Sequence, residues 1–204
     1  DLDKMCHLVV LAIENCITAF KSGDRELCRD ILSGDKVIND MERTIEARCL
    51  SLILKQQPIA SDLRNVSTAL KVVTDLERIG DQSADIAEIL LETDVKCPYK
   101  MVEHIPNMAR LARDMVKGSI EAFHEHDLKK AAKIKELESQ MDGLFEDVKV
   151  ELVQIVNEDK ENIDLVINFL MIAKYFERIG DHAVNICEWI EFNQTGTVDN
   201  YRLI

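Results

Sequence analysis

Two six-residue runs carry the clearest chemical signal: Leu76-Glu77-Arg78-Ile79-Gly80-Asp81 and Phe176-Glu177-Arg178-Ile179-Gly180-Asp181, set 100 positions apart. In a helix, Glu and Asp four positions apart sit one turn from each other, so their charges repel. If they also face inward they lose water. Each then needs a proton, a cationic partner or a metal. The glycine between them costs a helix interior about 1 kcal/mol against alanine, and usually marks a close approach by another helix.

The helical wheel sharpens this. Leu63, Val66, Leu70 and Val73 lie within roughly 40° of one line, and Glu77 continues it. Asp81 and Glu88 fall near that line and Asp85 at its edge, so an apolar stripe turns acidic halfway along. The second run repeats the pattern. Ile163, Val166, Leu170 and Ala173 lead into Glu177, Asp181 and Glu188, with Asn185 in place of Asp85. A second helix in each half offers matching groups: Asp35, Asn39, Glu42 and Glu46, then Glu138, Asp142 and Glu146. Facing stripes of this kind make oxygen-rich clusters suited to iron, manganese, magnesium, calcium or zinc. The competing reading is a pair of solvated charged faces, with Arg78 and Arg178 paired to nearby acids.

The elements that must position these groups are helices, and they occur twice. A shift of 103 aligns Met5 with Met108, Ile17 with Ile120, Phe20 with Phe123 and Asp24 with Asp127. The shift falls to 100 after the loop around Gln57-Pro58. Two copies indicate duplication rather than a solenoid. In the first, Met5, Leu8, Ala12 and Ala19 mark the apolar face of one helix, which ends at Lys21-Ser22-Gly23 before the N-cap Asp24. A second helix runs from Ile31 past Leu52 and a third from Leu63. The second copy predicts helices over Ile105 to Glu125, Asp127 to Asn157 and Asn162 to Phe192. The expectation is an all-α chain of two pseudo-symmetric three-helix bundles, residues 1–94 and 95–204, joined by a Pro98-containing linker from Glu92 to Lys100, with a frayed tail after Gln194.

Composition narrows the function classes. The 204 residues carry a net charge of −13, with 47% hydrophobic and 5% aromatic residues, seven Gly and three Pro. Few turn formers and few aromatics fit long helices. An acidic surface repels phosphate backbones and anionic lipid, which argues against nucleic-acid binding. Charged residues recur along the chain, so no transmembrane segment is expected. Six scattered cysteines without a CxxC pair argue against thiolate zinc and suit a reducing cytosol. His124-Glu125-His126-Asp127 lies at a helix–helix turn, where a metal is one reading and solvation the other. Glu121 and His124 form one ExxH pair, but the second such pair that a di-iron bundle requires is absent. No glycine-rich phosphate loop, GxSxG or HExxH appears.

Gln57-Pro58-Ile59-Ala60-Ser61-Asp62-Leu63-Arg64, followed by Asp75-Leu76-Glu77-Arg78-Ile79-Gly80-Asp81, resembles the signature of the PhoU family. Glu177 to Asp181 followed by Asn185-Ile186-Cys187-Glu188 does so again. The resemblance covers nearly the whole chain. It implies two three-helix bundles whose Glu77/Asp81 and Glu177/Asp181 motifs bind multinuclear iron or zinc. It also implies a cytoplasmic, non-enzymatic negative regulator of phosphate-starvation signalling. Its partners would be the ATPase of the phosphate ABC transporter and a phosphate-sensing histidine kinase, and it would form a homodimer. The family usually begins further upstream, with a longer first helix. The second copy has Asn157-Glu158-Asp159-Lys160 in place of the Gln-Pro run, and Asn185 leaves its site less anionic, so weaker metal loading is expected there. A carboxylate-bridged metalloenzyme and a metal-free helical interaction module are the alternatives.

Overall fold

A computed structural model of the protein describes residues 1–93, 102–158, 163–198 and 201–202. The first half forms three helices: α1 Leu2–Ser22, α2 Arg25–Gln56 and α3 Ser61–Glu92. The second forms four: α4 Ile105–Glu125, α5 Leu128–Lys135, α6 Glu138–Glu158 and α7 Ile163–Thr195. The expected linker from Glu92 to Lys100 and the Asp159-Lys160 positions lie largely outside the described residues, as does Cys97. The tail is not simply frayed. Thr197–Val198 (β1) pairs antiparallel with Tyr201–Arg202 (β2).

The duplication shows in the caps. Asp24 Oδ1 accepts from Glu26 N at 2.9 Å and Leu27 N at 3.2 Å. Its counterpart Asp127 does the same with Lys129 N and Lys130 N, at 2.9 and 3.1 Å. Each cap satisfies two of the amides a helix start leaves bare. The preceding residue ends the first helix in the left-handed region in both halves: Gly23 at φ 69° and His126 at φ 51°.

One expectation fails in the second half. The single helix from Asp127 is broken into α5 and α6 by a turn at Glu136–Leu137, where Leu137 N reaches Ile134 O at 3.0 Å and Gln140 N reaches Leu137 O at 3.1 Å. These are bonds to the third residue back, a local tightening of the helix. Leu137 packs against the core, whereas its counterpart Gly34 has no side chain to bury and α2 runs unbroken through it.

Helix α1 corrects two others. Its buried face is Met5, Val9, Ile13, Cys16 and Phe20, with Cys6, Ile17 and Ala19 beside them, while Leu8 and Ala12 are only half-buried. By length and composition α1 is apolar enough to cross a bilayer, with a mean hydropathy of 1.3 over its best window, because only Glu14 and Lys21 interrupt the run from Met5 to Ser22. Val9, Ile13, Ile17 and Phe20 of that run are buried in the protein core, whereas Leu11 is exposed.

Helices α3 and α7 form the central antiparallel pair, related by a pseudo-twofold axis. Asn193 Nδ2 donates to Thr68 Oγ1 at 3.3 Å, and the counterpart Asn168 Nδ2 donates to Thr93 Oγ1 at 3.3 Å. The 100-residue offset read from the sequence is therefore the rotation that superposes the halves. α2 and α3 each have 32 residues and α1 has 21. At 1.5 Å per residue the α2–α3 hairpin outruns α1 by roughly 16 Å. Its tip exposes Leu54 and Ile59, and the α6–α7 end exposes Val153 and Ile167.

Candidate metal centre

The acidic stripe of α3 is set against that of α2. Gly80 makes this possible. A Cβ there would lie 3.1 Å from two side-chain carbons of Ile38 and 3.5 Å from Asp35 Oδ1, so the bare glycine lets α2 and its carboxylate close on α3. Asn39 Nδ2 donates to Asp35 Oδ2 at 3.1 Å, leaving Asp35 Oδ1 and Asn39 Oδ1 buried without a donor. Glu77 Oε2 is likewise buried and accepts no hydrogen bond. Its nearest cation is Arg78 Nε at 3.5 Å, an ion-pair contact without hydrogen-bond geometry, and Arg78 also reaches Asp81 at 3.3 Å.

The electrostatics follow. The Glu77 carboxyl is pushed up to about 7, by burial first and then by Asp81 and Glu42, against the pull of Arg78. Asp35 is raised by burial and Asp81, and Glu42 by burial and Glu46. Asp85 is raised by burial, Asp81 and Glu88, while a hydrogen bond from the Tyr175 hydroxyl opposes the rise. A seam with three buried oxygens that accept no hydrogen bond, and with Arg78 as the cation beside its carboxylates, fits a hard or borderline cation held by oxygen. Asp35, Asn39, Glu42, Glu77, Asp81 and Asp85 are the residues that would hold it. Among the described residues no three His, Cys, Asp or Glu groups already converge on one point, so side chains would turn to close such a site.

The second seam differs. Glu177 is as enclosed as Glu77, with side-chain exposures of 14% and 15%, and its Oε2 is likewise buried without a hydrogen bond, but Lys174 Nζ forms a closer ion pair with it than Arg78 does with Glu77. The counterpart of Lys174 is Thr74, whose hydroxyl is occupied with Leu70 O at 3.1 Å. The Asp181 carboxyl is raised by burial and by Glu177, with Lys174 pulling it down and Glu138 adding to the rise. Asp142 and Glu146 point to solvent, and Glu146 pairs with Lys149. Asn185 donates to Asp75 Oδ1 at 3.2 Å, and His182 Nδ1 lies 2.9 Å from the same oxygen. The second seam thus gathers Glu177 and Asp181, turns Asn185 toward α3, and leaves Asp142 and Glu146 outside.

Sequence reasoning singled out neither Lys174 nor Tyr175, and met Asp75 only as part of the family signature. Comparing the halves position by position carries the signal, since Thr74/Lys174 and Asp75/Tyr175, like Asp85/Asn185, are places where the third helices differ in charge beside the motif. In the His124–Asp127 turn, His126 is the left-handed cap and Asp127 the next N-cap.

The fold and its paired seams define a class of protein: tandem three-helix repeats around a pseudo-twofold axis, with an acidic motif on the third helix of each. The PhoU domain model matches residues 2–90 and again 105–190, and the chain belongs to the PhoU family. It is 36% identical over 197 residues to the phosphate-specific transport system accessory protein PhoU homolog of Clostridium acetobutylicum, covering 96% of this chain and 90% of that one. It is 32% identical over 192 residues to the accessory protein PhoU of Escherichia coli, covering 94% and 80%. Among solved structures, PhoU from Pseudomonas aeruginosa superposes with a TM-score of 0.88 at 32% identity, covering 96% and 94% of the two chains. The phosphate transport system regulatory protein PhoU from Streptococcus pneumoniae gives 0.84 at 28%, covering 97% and 93%.

Proposed function

We propose that this chain is a metal-binding regulatory adaptor of phosphate transport. It restrains phosphate uptake and phosphate-starvation signalling by standing between the ATPase of the phosphate ABC transporter and a phosphate-sensing histidine kinase. It works in the cytoplasm, as a homodimer, and without catalysis of its own. The observation that carries the reading is the α2–α3 seam, where Asp35, Asn39 and Glu77 hold buried oxygens without donors on the motif shared with a family of transport accessory proteins. Bound at these residues, iron or zinc would supply the missing positive charge, and an acidic, anion-repelling face would then accept a partner's carboxylate or a phosphate. The protein's share is positional: Gly80 sets the spacing of the two helices, and Arg78 and Lys174 trim the excess negative charge.

Two measurements test it. Elemental analysis of protein purified without chelator should find iron or zinc in the parent, and the seam-bound share of it should be missing from Asp81→Ala/Asp181→Ala. Affinity purification from phosphate-replete cells should recover transporter ATPase and sensor kinase with the parent. Recovery of neither partner would overturn the adaptor reading, and equal metal in parent and variant would overturn the metal assignment.

A further inference from the structure

The Glu121–His124 pair found in the sequence lacks a matching ExxH, but the fold supplies a different partner. α1 and α4 pack antiparallel: Lys117 Nζ reaches Glu14 Oε1 at 3.6 Å, and further along the crossing His124 Nε2 reaches Asp3 Oδ1 at 3.4 Å. Asp3 and His7 are one turn apart on α1, as Glu121 and His124 are on α4, so each helix presents a carboxylate and an imidazole on one face. The same register brings His7 opposite Glu121. All four line a single hollow together with Val10, Ile120 and the Glu14–Lys117 ion pair, in which the lysine is already matched by its own carboxylate.

We infer that this hollow is a binding site for one divalent cation of the zinc class, clamped between the two repeats by Asp3, His7, Glu121 and His124. Two imidazoles with two carboxylates make a set that zinc accepts in tetrahedral geometry, and imidazole distinguishes it from the oxygen-only seams. The donors do not yet converge, since no three such groups do among the described residues. All four side chains are exposed, so closing on an ion requires only rotamer changes. Glu121 leaves Lys130, which lies 2.7 Å away and keeps Glu125 at 3.3 Å as its second partner.

The pseudo-twofold axis provides an internal contrast. The counterparts of Asp3, His7, Glu121 and His124 under the 103-residue shift are Pro106, Arg110, Thr18 and Lys21. That set holds no metal ligand and two cations, so the site occurs once per chain. A bound ion would tie the first repeat to the second at the α1–α4 crossing and stabilise the folded chain.

The test uses the full chain stripped with chelator. Zinc is titrated by calorimetry and by thermal unfolding, and cobalt(II) serves as a visible probe of tetrahedral coordination. The expected result is that His7→Ala/His124→Ala loses one zinc equivalent, its share of the zinc-induced rise in Tm and the cobalt band. Asp81→Asn/Asp181→Asn and the control His126→Ala keep all three. Circular dichroism without metal confirms that each variant is folded, and Asp3→Asn, expected to weaken zinc binding without abolishing it, gives an independent arm. Zinc stoichiometry and cobalt band unchanged in the double-histidine variant, or lost in the seam variant instead, would overturn the assignment, as would a parent that binds neither ion outside the seams.

Discussion

Asn185 donates to Asp75 across the α3–α7 interface at 3.2 Å, and the pair explains a departure between the halves. The counterpart of Asp75 is Tyr175 and that of Asn185 is Asp85, and those two also meet, through the Tyr175 hydroxyl. Each contact therefore matches one carboxylate with one donor. An aspartate at 185 would face Asp75 directly. Asn185→Asp is expected to destabilise the fold by about 1–3 kcal/mol, through carboxylate repulsion and a lost donor. Adding Asp75→Asn should recover much of the loss. Urea unfolding of the single and double variants checks both steps.

The raised Glu77 carboxyl sets a pH dependence. Its ordinary value is 4.5 and the folded value about 7, so between those limits the native state keeps a proton the unfolded chain has released. The associated stability is fully present below about pH 4.5 and is lost as pH rises through 7. In chelator-treated protein, Glu77→Gln should flatten this slope and leave the variant about 1–3 kcal/mol more stable than the parent at pH 8. A parent whose stability rises across this window more steeply than the variant's would contradict it.

The two motif glycines should respond differently to alanine. At Gly180 a methyl group would meet only Met141 and Met115 side-chain ends, at 3.4 to 3.5 Å, and flexible methionine yields easily. Gly180→Ala is expected to be neutral or stabilising by up to about 1 kcal/mol from helix propensity. Gly80→Ala presses on buried, β-branched Ile38 at 3.1 Å and should be the less stable of the two by thermal melting.

His126 occupies the left-handed position that Gly23 fills in the first half. His126→Gly should therefore stabilise the chain by about 0.5–1 kcal/mol, because glycine meets no steric cost there. A lower Tm for this variant would show that the histidine side chain compensates for its own strain.

Lys174 predicts unequal metal loading. Because it already neutralises Glu177, the second seam should bind an added cation more weakly than the first. Thr74→Lys should weaken the first seam, and Lys174→Thr should strengthen the second. Calorimetric titration in Asp81→Ala and Asp181→Ala backgrounds isolates each seam, and equal affinities would remove the role given to the lysine.

Much of the fold was legible in the sequence because the chain states it twice. Periodicity, the caps Asp24 and Asp127, and the offset between the motifs set most helix ends to within a few residues, and the symmetry with them. The seam of α1 was not legible, since apolar residues on several faces leave its orientation to packing. Nor was the break at Leu137, because Gly34 and Leu137 both suit a helix and only the core decides. At the site, helical spacing placed Asp35, Asn39 and Glu42 on one stripe and Glu77 and Asp81 on another, while their meeting is decided by packing around Gly80. That Asp142 and Glu146 face outward did not, since a stripe fixes a face but not its partner helix.

The two cross-axis contacts at α3 and α7 also act as an address. Were two copies of the first half alone to pair about the same axis, Asp75 would meet Asp85, carboxylate on carboxylate, at both contacts. Two copies of the second half would set Tyr175 against Asn185, each able to bond the other. The first half is thereby disfavoured as its own partner and matched to the half that follows it. The pairing of the halves is thus directional, and a chain cut between its repeats should reassemble as one half with the other.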